Sequence, residues 1–316
     1  MAEVRVGLGF AGVGLLGQMM LEDLPKVPDL YLAAVQDANL SLATQVAERF
    51  ASPWHGQRFE DLLNAPSVDA VVISTPNALH VPQAQAALRA GKPVLVQKPL
   101  ATSAADARAA VELAAARGRV LFVDYSYRLL ETAEALRGAL PEIGSVRAVS
   151  AAFHNTYGPR AGRDWFINPN LSGGGALIDL GVHMLDMLLW LLEPREARLE
   201  RAALDRRPGL EVEHGARVEV QLDDVPVRLE VSWDAPLPLT EINVVLDGAR
   251  GQLRWDNVGG SFTHFRTQLN QRLLIDREMA LRENTLRAFA AALASGCAPP
   301  VDTRVYELLD HAYGRV

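Results

Sequence analysis

A chain of 316 residues, 49% apolar and 22% charged, is ordinary for a folded globular protein and long for one hydrophobic core, so two domains are expected. Its net charge of −7 and pI near 5.6 argue against nucleic acid or an anionic membrane surface as the main partner. Cys297 is the one cysteine, so no internal disulfide can form, which suits a reducing cytoplasm.

The N-terminal Met1-Ala2-Glu3-Val4-Arg5 has neither the basic region nor the apolar core of a signal peptide. Residues 4–11 read as a first strand. Two overlapping Gly-x-Gly-x-x-Gly frames follow, Gly7-Gly9-Gly12 and Gly12-Gly14-Gly17. The second is preferred, because it follows a complete strand and opens into the helical Leu15-Leu16-Gly17-Gln18-Met19-Met20-Leu21. Gly12, Val13, Gly14, Leu15, Leu16 and Gly17 then become candidates for cradling a dinucleotide pyrophosphate. The next strand, 30–37, ends in Asp37, placed 20 residues beyond Gly17 where an acidic side chain accepts ribose hydroxyls. A carboxylate there repels a 2′-phosphate, and no arginine follows before Arg49, which favours NAD over NADP. The other reading makes Asp37 a cap for the helix expected from about Leu40; the two roles are compatible, and the spacing favours the cofactor role.

Alternation continues with a helix at 40–51, a short segment around Gln57-Arg58-Phe59, a helical turn at 60–64 and a buried strand ending at Ser74. Thr75-Pro76-Asn77 leads into a helix over 78–90. The run Val94-Leu95-Val96-Gln97-Lys98-Pro99 reads as a buried parallel strand that Pro99 terminates, so Lys98 sits at its carboxyl end. That is the ligand-binding edge of an open α/β sheet. Of 31 basic residues only Lys26, Lys92 and Lys98 are lysines. Lys98 is therefore either a group arginine cannot replace or a plain strand-end residue. A helix over 102–117 and a strand over 119–124 complete a doubly wound parallel sheet, giving a dinucleotide-binding domain over 1–124.

Residues 125–316 read differently. A helix over 128–140 and a strand over 145–154 precede a polar loop, 155–175, carrying Asn155, Arg160, Arg163 and Asn168. The most hydrophobic window, Ala176–Leu192, holds Asp179, His183 and Asp186, so it reads as a buried helix rather than a membrane span. Alternating runs at 197–206, 214–222, 225–233, 240–247, 251–256 and 261–267 predict a mostly antiparallel sheet. Helices over 277–295 and 304–312 close an α+β substrate and oligomerisation domain. One face of its sheet is left for another copy of the chain.

Asp179 and His183 lie four residues apart on one helix face, after Gly173-Gly174-Gly175, which would let a ligand or another backbone approach closely. The pair is either a proton-transfer unit or a satisfied structural pair. No His-x-x-x-His motif or cysteine pair suggests a metal, and no Gly-Lys-Ser/Thr motif suggests phosphoryl transfer.

Taken together, the glycine turn, Thr75-Pro76-Asn77-Ala78-Leu79-His80, Gly91 through Pro99, Tyr125-Ser126-Tyr127-Arg128 and Gly173–Asp186 resemble the Gfo/Idh/MocA superfamily of NAD(P)-dependent oxidoreductases, along nearly the whole chain. The resemblance implies a Rossmann domain followed by an α+β domain with a large open sheet, assembled through that sheet into dimers or tetramers. It implies Lys98, Asp179 and His183 as the catalytic set, also touching substrate with Arg128 and Trp165. It places Ser74, Thr75, Pro76, Asn77 and His80 along the cofactor cleft, with Gln97 and Lys98 beside them. The alternative role for Trp165 is to anchor its loop. The superfamily's Glu-Lys-Pro motif falls on Gln97-Lys98-Pro99: the amide keeps the shape and loses a negative charge beside Lys98. The activity implied is hydride transfer on a sugar, polyol or related hydroxy or oxo compound. A redox-neutral lyase or glycosidase using NAD transiently, and a non-catalytic dinucleotide sensor, share the same fold.

Overall fold

The structure is a computed structural model describing residues 5–156, 158, 164–234 and 240–315. Two compact units divide it, and the chain passes between them more than once. The first unit takes residues up to Ala101, Ala105–Asp124 and Arg282–Val301, and the second takes Thr102–Ala104, Tyr125–Leu281 and everything from Asp302. The sequence had suggested a single crossing at 124/125.

The first unit holds β1 (Val6–Ala11), β2 (Leu30–Gln36), β3 (His55–Gly56), β4 (Ala70–Ile73), β5 (Val94–Gln97) and β6 (Leu121–Asp124). All pairings are parallel in the order β3-β2-β1-β4-β5-β6, the doubly wound arrangement expected. Helices α1 (Leu15–Asp23), α2 (Leu40–Phe50), α3 (Phe59–Leu63), α4 (His80–Arg89) and α5 (Ala104–Arg117) make the crossovers. The apolar run of β5 exists because both its sheet neighbours and the helices on either face exclude water. Leu95 and Val96 are wholly buried, a contribution of about 1.5–3 kcal/mol each. The short segment expected around Gln57 is instead the two-residue β3, just upstream.

The second unit is built on β7 (Val146–His154), β8 (Ala197–Arg206), β9 (Glu213–Leu222), β10 (Val225–Ser232), β11 (Glu241–Gly248), β12 (Gln252–Asn257), β13 (His264–Leu269) and β14 (Arg272–Glu278). The sheet order is β14-β13-β12-β11-β7-β10-β9-β8, antiparallel except for β7 beside β10. Alternation sets the faces: Val218, Val220 and Leu222 point to the core, while Arg217 and Glu219 point outward. On the inner side, α6 (Glu131–Ile143) is tied to the sheet through Thr132. Its hydroxyl accepts from Trp255 Nε1 at 3.1 Å, and its carbonyl accepts from Thr267 Oγ1 at 2.6 Å. The short α7 (Pro169–Ser172), a π-turn at Leu177–Gly181 and α8 (Val182–Leu192) follow. By length and composition Pro169–Leu192 could cross a membrane, but 78% of its most apolar window is buried inside the protein, as the buried-helix reading expects.

Helix α9 (Leu281–Ser295) returns to the first unit, where Phe289 meets Phe122 edge-on at 5.9 Å; α10 (Arg304–Tyr313) belongs to the second. One expectation fails here. The helix read from residue 277 begins at Leu281, and the residues before it form the edge strand β14. That strand is mostly exposed and charged, so its alternation is hidden, although Asn270 at φ 54° marks the hairpin turn that opens it.

Candidate active site

In the first unit the carboxyl ends of β1, β2, β4 and β5 lie along one sheet edge, and the loops that follow them carry the predicted cofactor residues. The second glycine frame is the one that bridges strand to helix, since Gly7 and Gly9 lie inside β1. Gly12 has φ +79°, and a Cβ there would come within 2.7 Å of the Ser74 carbonyl. Gly14 caps α1, and a Cβ on it would meet nothing within 4 Å. The start of α1 has no side-chain cap and no acidic residue in its first turn, so its amide dipoles point at an open space suited to a phosphate. Leu15 and Leu16, at 52% and 46% exposure, flank that space. These glycines fit a dinucleotide: one makes the turn, one leaves room, and Gly17 packs against the Gly12 carbonyl.

Asp37 follows β2 directly. One carboxylate oxygen accepts the Val13 amide at 3.0 Å and the other the Asn39 amide at 2.9 Å. Capping of α2 falls to Asn39, whose side chain accepts the Leu42 amide, so Asp37 is not the helix cap. Carboxylate lone pairs remain for further donors.

After β4, Ser74 donates its amide to Ala11, and the Thr75 hydroxyl donates to Gln83 at 2.6 Å. Pro76 and the buried Asn77 open the next helical turn. His80 is 1% exposed, with Nδ1 2.7 Å from the Pro99 carbonyl and Nε2 2.8 Å from the Thr75 carbonyl. Burial lowers its pKa, against the two carbonyls that raise it, and the Lys98 charge adds to the lowering. The ring therefore bridges the loops after β4 and β5 from behind, and does not line a cleft as the resemblance implied. Gln97 likewise turns inward, onto Met20 and Asp124, rather than toward a cofactor. Lys98 is different. From Val94 to Ala101 it is the one residue that is not buried.

A matching pattern marks the second unit. From Ser172 to Leu189 every residue is buried except Asp179 and His183. Asp179 lies in the π-turn and His183 in the first turn of α8. An extra backbone residue of this kind often re-aims side chains at functional sites. Asp179 Oδ2 accepts from Trp233 Nε1 at 2.9 Å, and Trp233 is 3% exposed. The His183 ring packs edge-on to Tyr127 with centroids 4.9 Å apart.

The three glycines before this helix make room for the protein itself, not a ligand. A Cβ at Gly174 would overlap the Tyr313 hydroxyl, and one at Gly175 the Glu213 carbonyl. The buried Glu213 carboxylate accepts the amides of Gly175 and Leu177 at 2.9 Å each, and the Tyr313 hydroxyl at 2.7 Å. Burial raises its pKa, opposed by those donors.

Of the remaining candidates, Arg128 is only 10% exposed, with Nε 2.9 Å from Asp186 Oδ2. That buried pairing commits its guanidinium to the protein interior, not to a substrate. Burial drives Asp186 up to about 7 in spite of Arg128, because neither carboxylate oxygen has a well-formed hydrogen bond. Trp165 packs edge-on to Phe166, which stacks on Trp233 at 5.2 Å, so Trp165 anchors its loop. Asn168 caps α7 and Asn155 is 3% exposed. Arg160 and Arg163 lie outside the described residues. Sequence reasoning missed Trp233, Asp124, Thr285, Glu213 and Tyr313, all partners from distant parts of the chain. Trp233 carried one local signal, a large donor at the end of a strand.

Residues 6–125 match the model of an oxidoreductase family with an NAD-binding Rossmann fold, and residues 139–254 match the GFO/IDH/MocA C-terminal domain. The chain is similar to 1,5-anhydro-D-fructose reductase of Ensifer adhaerens, 40% identical over 141 residues, 44% of this chain and 42% of that protein. It is similar to dTDP-3,4-didehydro-2,6-dideoxy-alpha-D-glucose 3-reductase of Streptomyces violaceoruber, 38% identical over 64% of this chain and 58% of that one. The matches thus span about half the length of these curated relatives. The crystal structure of GenD2 from gentamicin A biosynthesis, in complex with NAD, matches with a TM-score of 0.85 at 28% identity, over 98% of this chain and 93% of that one.

Proposed function

The chain belongs to the Gfo/Idh/MocA family of oxidoreductases, and on that premise we propose that it transfers hydride to or from a carbon bearing a hydroxyl or keto group, on a sugar, polyol or related compound. One observation carries the reading. Lys98, Asp179 and His183 are each a polar side chain left partly open in a stretch whose neighbours are buried. When bound, a nicotinamide dinucleotide supplies the hydride acceptor or donor. In the oxidative direction, His183 takes the hydroxyl proton while the carbon gives up hydride and the carbonyl forms. Asp179 orients the imidazole or the substrate, itself held by Trp233. Lys98 donates a hydrogen bond to the substrate oxygen, where negative charge develops.

The cofactor is NAD in preference to NADP. Asp37 supports this, since its carboxylate ends β2 where a 2′-phosphate would be repelled, and Arg49 is committed to Gln18 and Glu22. Assembly into a homodimer or homotetramer through the outward face of the eight-stranded sheet belongs to the same proposal, and sedimentation equilibrium tests it.

A scan of sugars and polyols with NAD and NADP, followed at the reduced-nicotinamide absorbance, should give turnover with NAD on at least one. Lys98→Met should lower kcat by about a hundredfold or more with NAD affinity nearly unchanged. Near-normal turnover in that variant removes Lys98 from its role. Product formed without net NADH would point to the redox-neutral lyase or glycosidase. Asp37→Ser together with Ala38→Arg should move preference toward NADP; an unmoved preference takes the cofactor role from Asp37.

A further inference from the structure

Strands β5 and β6 are paired so that Gln97 faces Asp124 in register, each at the carboxyl end of its strand. Gln97 Nε2 donates to Asp124 Oδ2 at 2.8 Å, and Thr285 Oγ1, from α9, donates to Asp124 Oδ1 at 2.7 Å. Gln97 is 7% exposed, Asp124 6% and Thr285 not at all. Each carboxylate oxygen thus meets a neutral donor. Burying an ionisable group with neutral partners costs several kcal/mol, and leucine or asparagine would avoid that cost. Something must recover it.

Two cations act on Asp124, Lys98 and Arg282, and both favour its charged form. Arg282 Nε also donates to Asp23 Oδ2 at 2.9 Å. Lys98 follows Gln97 directly in the chain and ends the strand paired with that of Asp124. Burial raises the pKa of Asp124, and the Thr285 and Gln97 donors and the two cations work against it.

Positions 97 and 124 have room for one carboxylate. A glutamate at 97 would put a second one in hydrogen-bond contact with Asp124, and two buried carboxylates at that distance must share a proton. The amide at 97 is the neutral partner that allows the charge to reside at 124. It is held from the other side by Met20, with Nε2 3.1 Å from Sδ.

We propose that Asp124 is a positioning residue for Lys98: through the Gln97–Asp124–Thr285 chain it supplies a buried negative charge that helps to set the ammonium at the end of β5. The inference rests on Lys98 acting in the proposed reaction. It also makes the two positions exchangeable, because a carboxylate at 97 with an amide at 124 gives the same charge, one strand over.

The test compares the full-length wild type with Asp124→Asn, Gln97→Glu and the double variant. Melting temperature against pH is read without cofactor or substrate, and kcat and KM against pH with them. Asp124→Asn should fold, lower kcat about tenfold or more, shift its pH profile and leave KM for NAD unchanged. Gln97→Glu should lose about 5 °C or more of melting temperature as pH rises through neutrality, when both carboxyls must ionise. The double variant should recover both melting temperature and kcat, to within about threefold of wild type for the latter. A structural role alone would restore the melting temperature and leave kcat low, which overturns the proposal. Wild-type kcat and pH profile in Asp124→Asn overturn it as well. If Lys98→Met keeps its turnover, the proposal falls with the reading beneath it; if Lys98→Met loses turnover and Asp124→Asn does not, it falls alone.

Discussion

The turn at Gly12–Gly17 and the run Gly173–Gly175 look alike in the sequence, yet a methyl group at Gly14 would meet nothing within 4 Å, and one at Gly175 would overlap the Glu213 carbonyl. Both clusters precede a helix. In the first, the helix start is left without a cap and faces open space. In the second, the amides of Gly175 and Leu177 are already filled by Glu213, a carboxylate from β9. At Gly14 the space is open, and on the proposed function it is left for a cofactor; at Gly175 it is filled by the protein itself. The lesson concerns reading: glycine clustering reports close approach, and only the surroundings tell who approaches.

Four substitutions would break or sharpen that contrast. Gly175→Ala carries the largest effect, because backbone occupies the place of the new methyl; a loss of about 4–5 kcal/mol or failure to yield folded protein is expected, read by thermal melting and soluble yield. Next comes Asp186→Asn, on the helix the second cluster leads into. It replaces the carboxyl beside the 10%-exposed Arg128 with a neutral amide, so stability in denaturant titration should match the wild type below about pH 4 and exceed it by about 3 kcal/mol above about pH 8. The same variant changes the pH dependence. In the wild type this carboxyl ionises near 3.8 when unfolded and near 7 when folded, so between those values the unfolded chain has released a proton that the folded chain still holds. Stability from this group therefore falls as pH rises across that window and is level above it, and the asparagine should remove the slope.

Trp233→Phe is milder. It retains an aromatic ring to stack on Phe166 and deletes the donor to Asp179, so stability should change by about 1 kcal/mol while kcat drops about tenfold. The smallest change in stability is expected of Gly14→Ala, a few tenths of a kcal/mol at an open helix cap. Equilibrium dialysis with NAD should nevertheless show affinity reduced by about tenfold, since the methyl stands where a pyrophosphate would approach. Unchanged affinity would mean the first cluster is as purely structural as the second.

Much of the fold was legible because its signals are local. Pro99 ends β5 and leaves Lys98 at the sheet edge, and Val218, Val220 and Leu222 alternate with charged neighbours along β9. Asp179 and His183 stood out as polar residues in an apolar helix. What stayed hidden is non-local. Nothing near Asp179 announces Trp233, and nothing near Gln97 announces Thr285, because sheet register and helix return create those contacts. Arg128 and His80 misled for a related reason: a polar side chain in a motif looks the same whether it faces solvent or, as here, is drawn into a buried pair or a carbonyl bridge. The strand β14 was lost because an exposed edge strand has little apolar pattern to show.

The return of α9 to the parallel sheet has a bearing on how the gene can be cut. A stop codon after Asp124 would keep every strand of that sheet and still remove Thr285, Leu286 and Phe289, so that Phe122 would lose its edge-on partner and Asp124 one of its two donors. The exposed apolar surface would invite aggregation, and the orphaned carboxylate would favour its protonated form. A separable nucleotide-binding module therefore has to be assembled as a fusion, with the segment around 282–301 spliced behind residue 124 through a short linker. Two folding units are present, but no single contiguous fragment of the gene encodes the first.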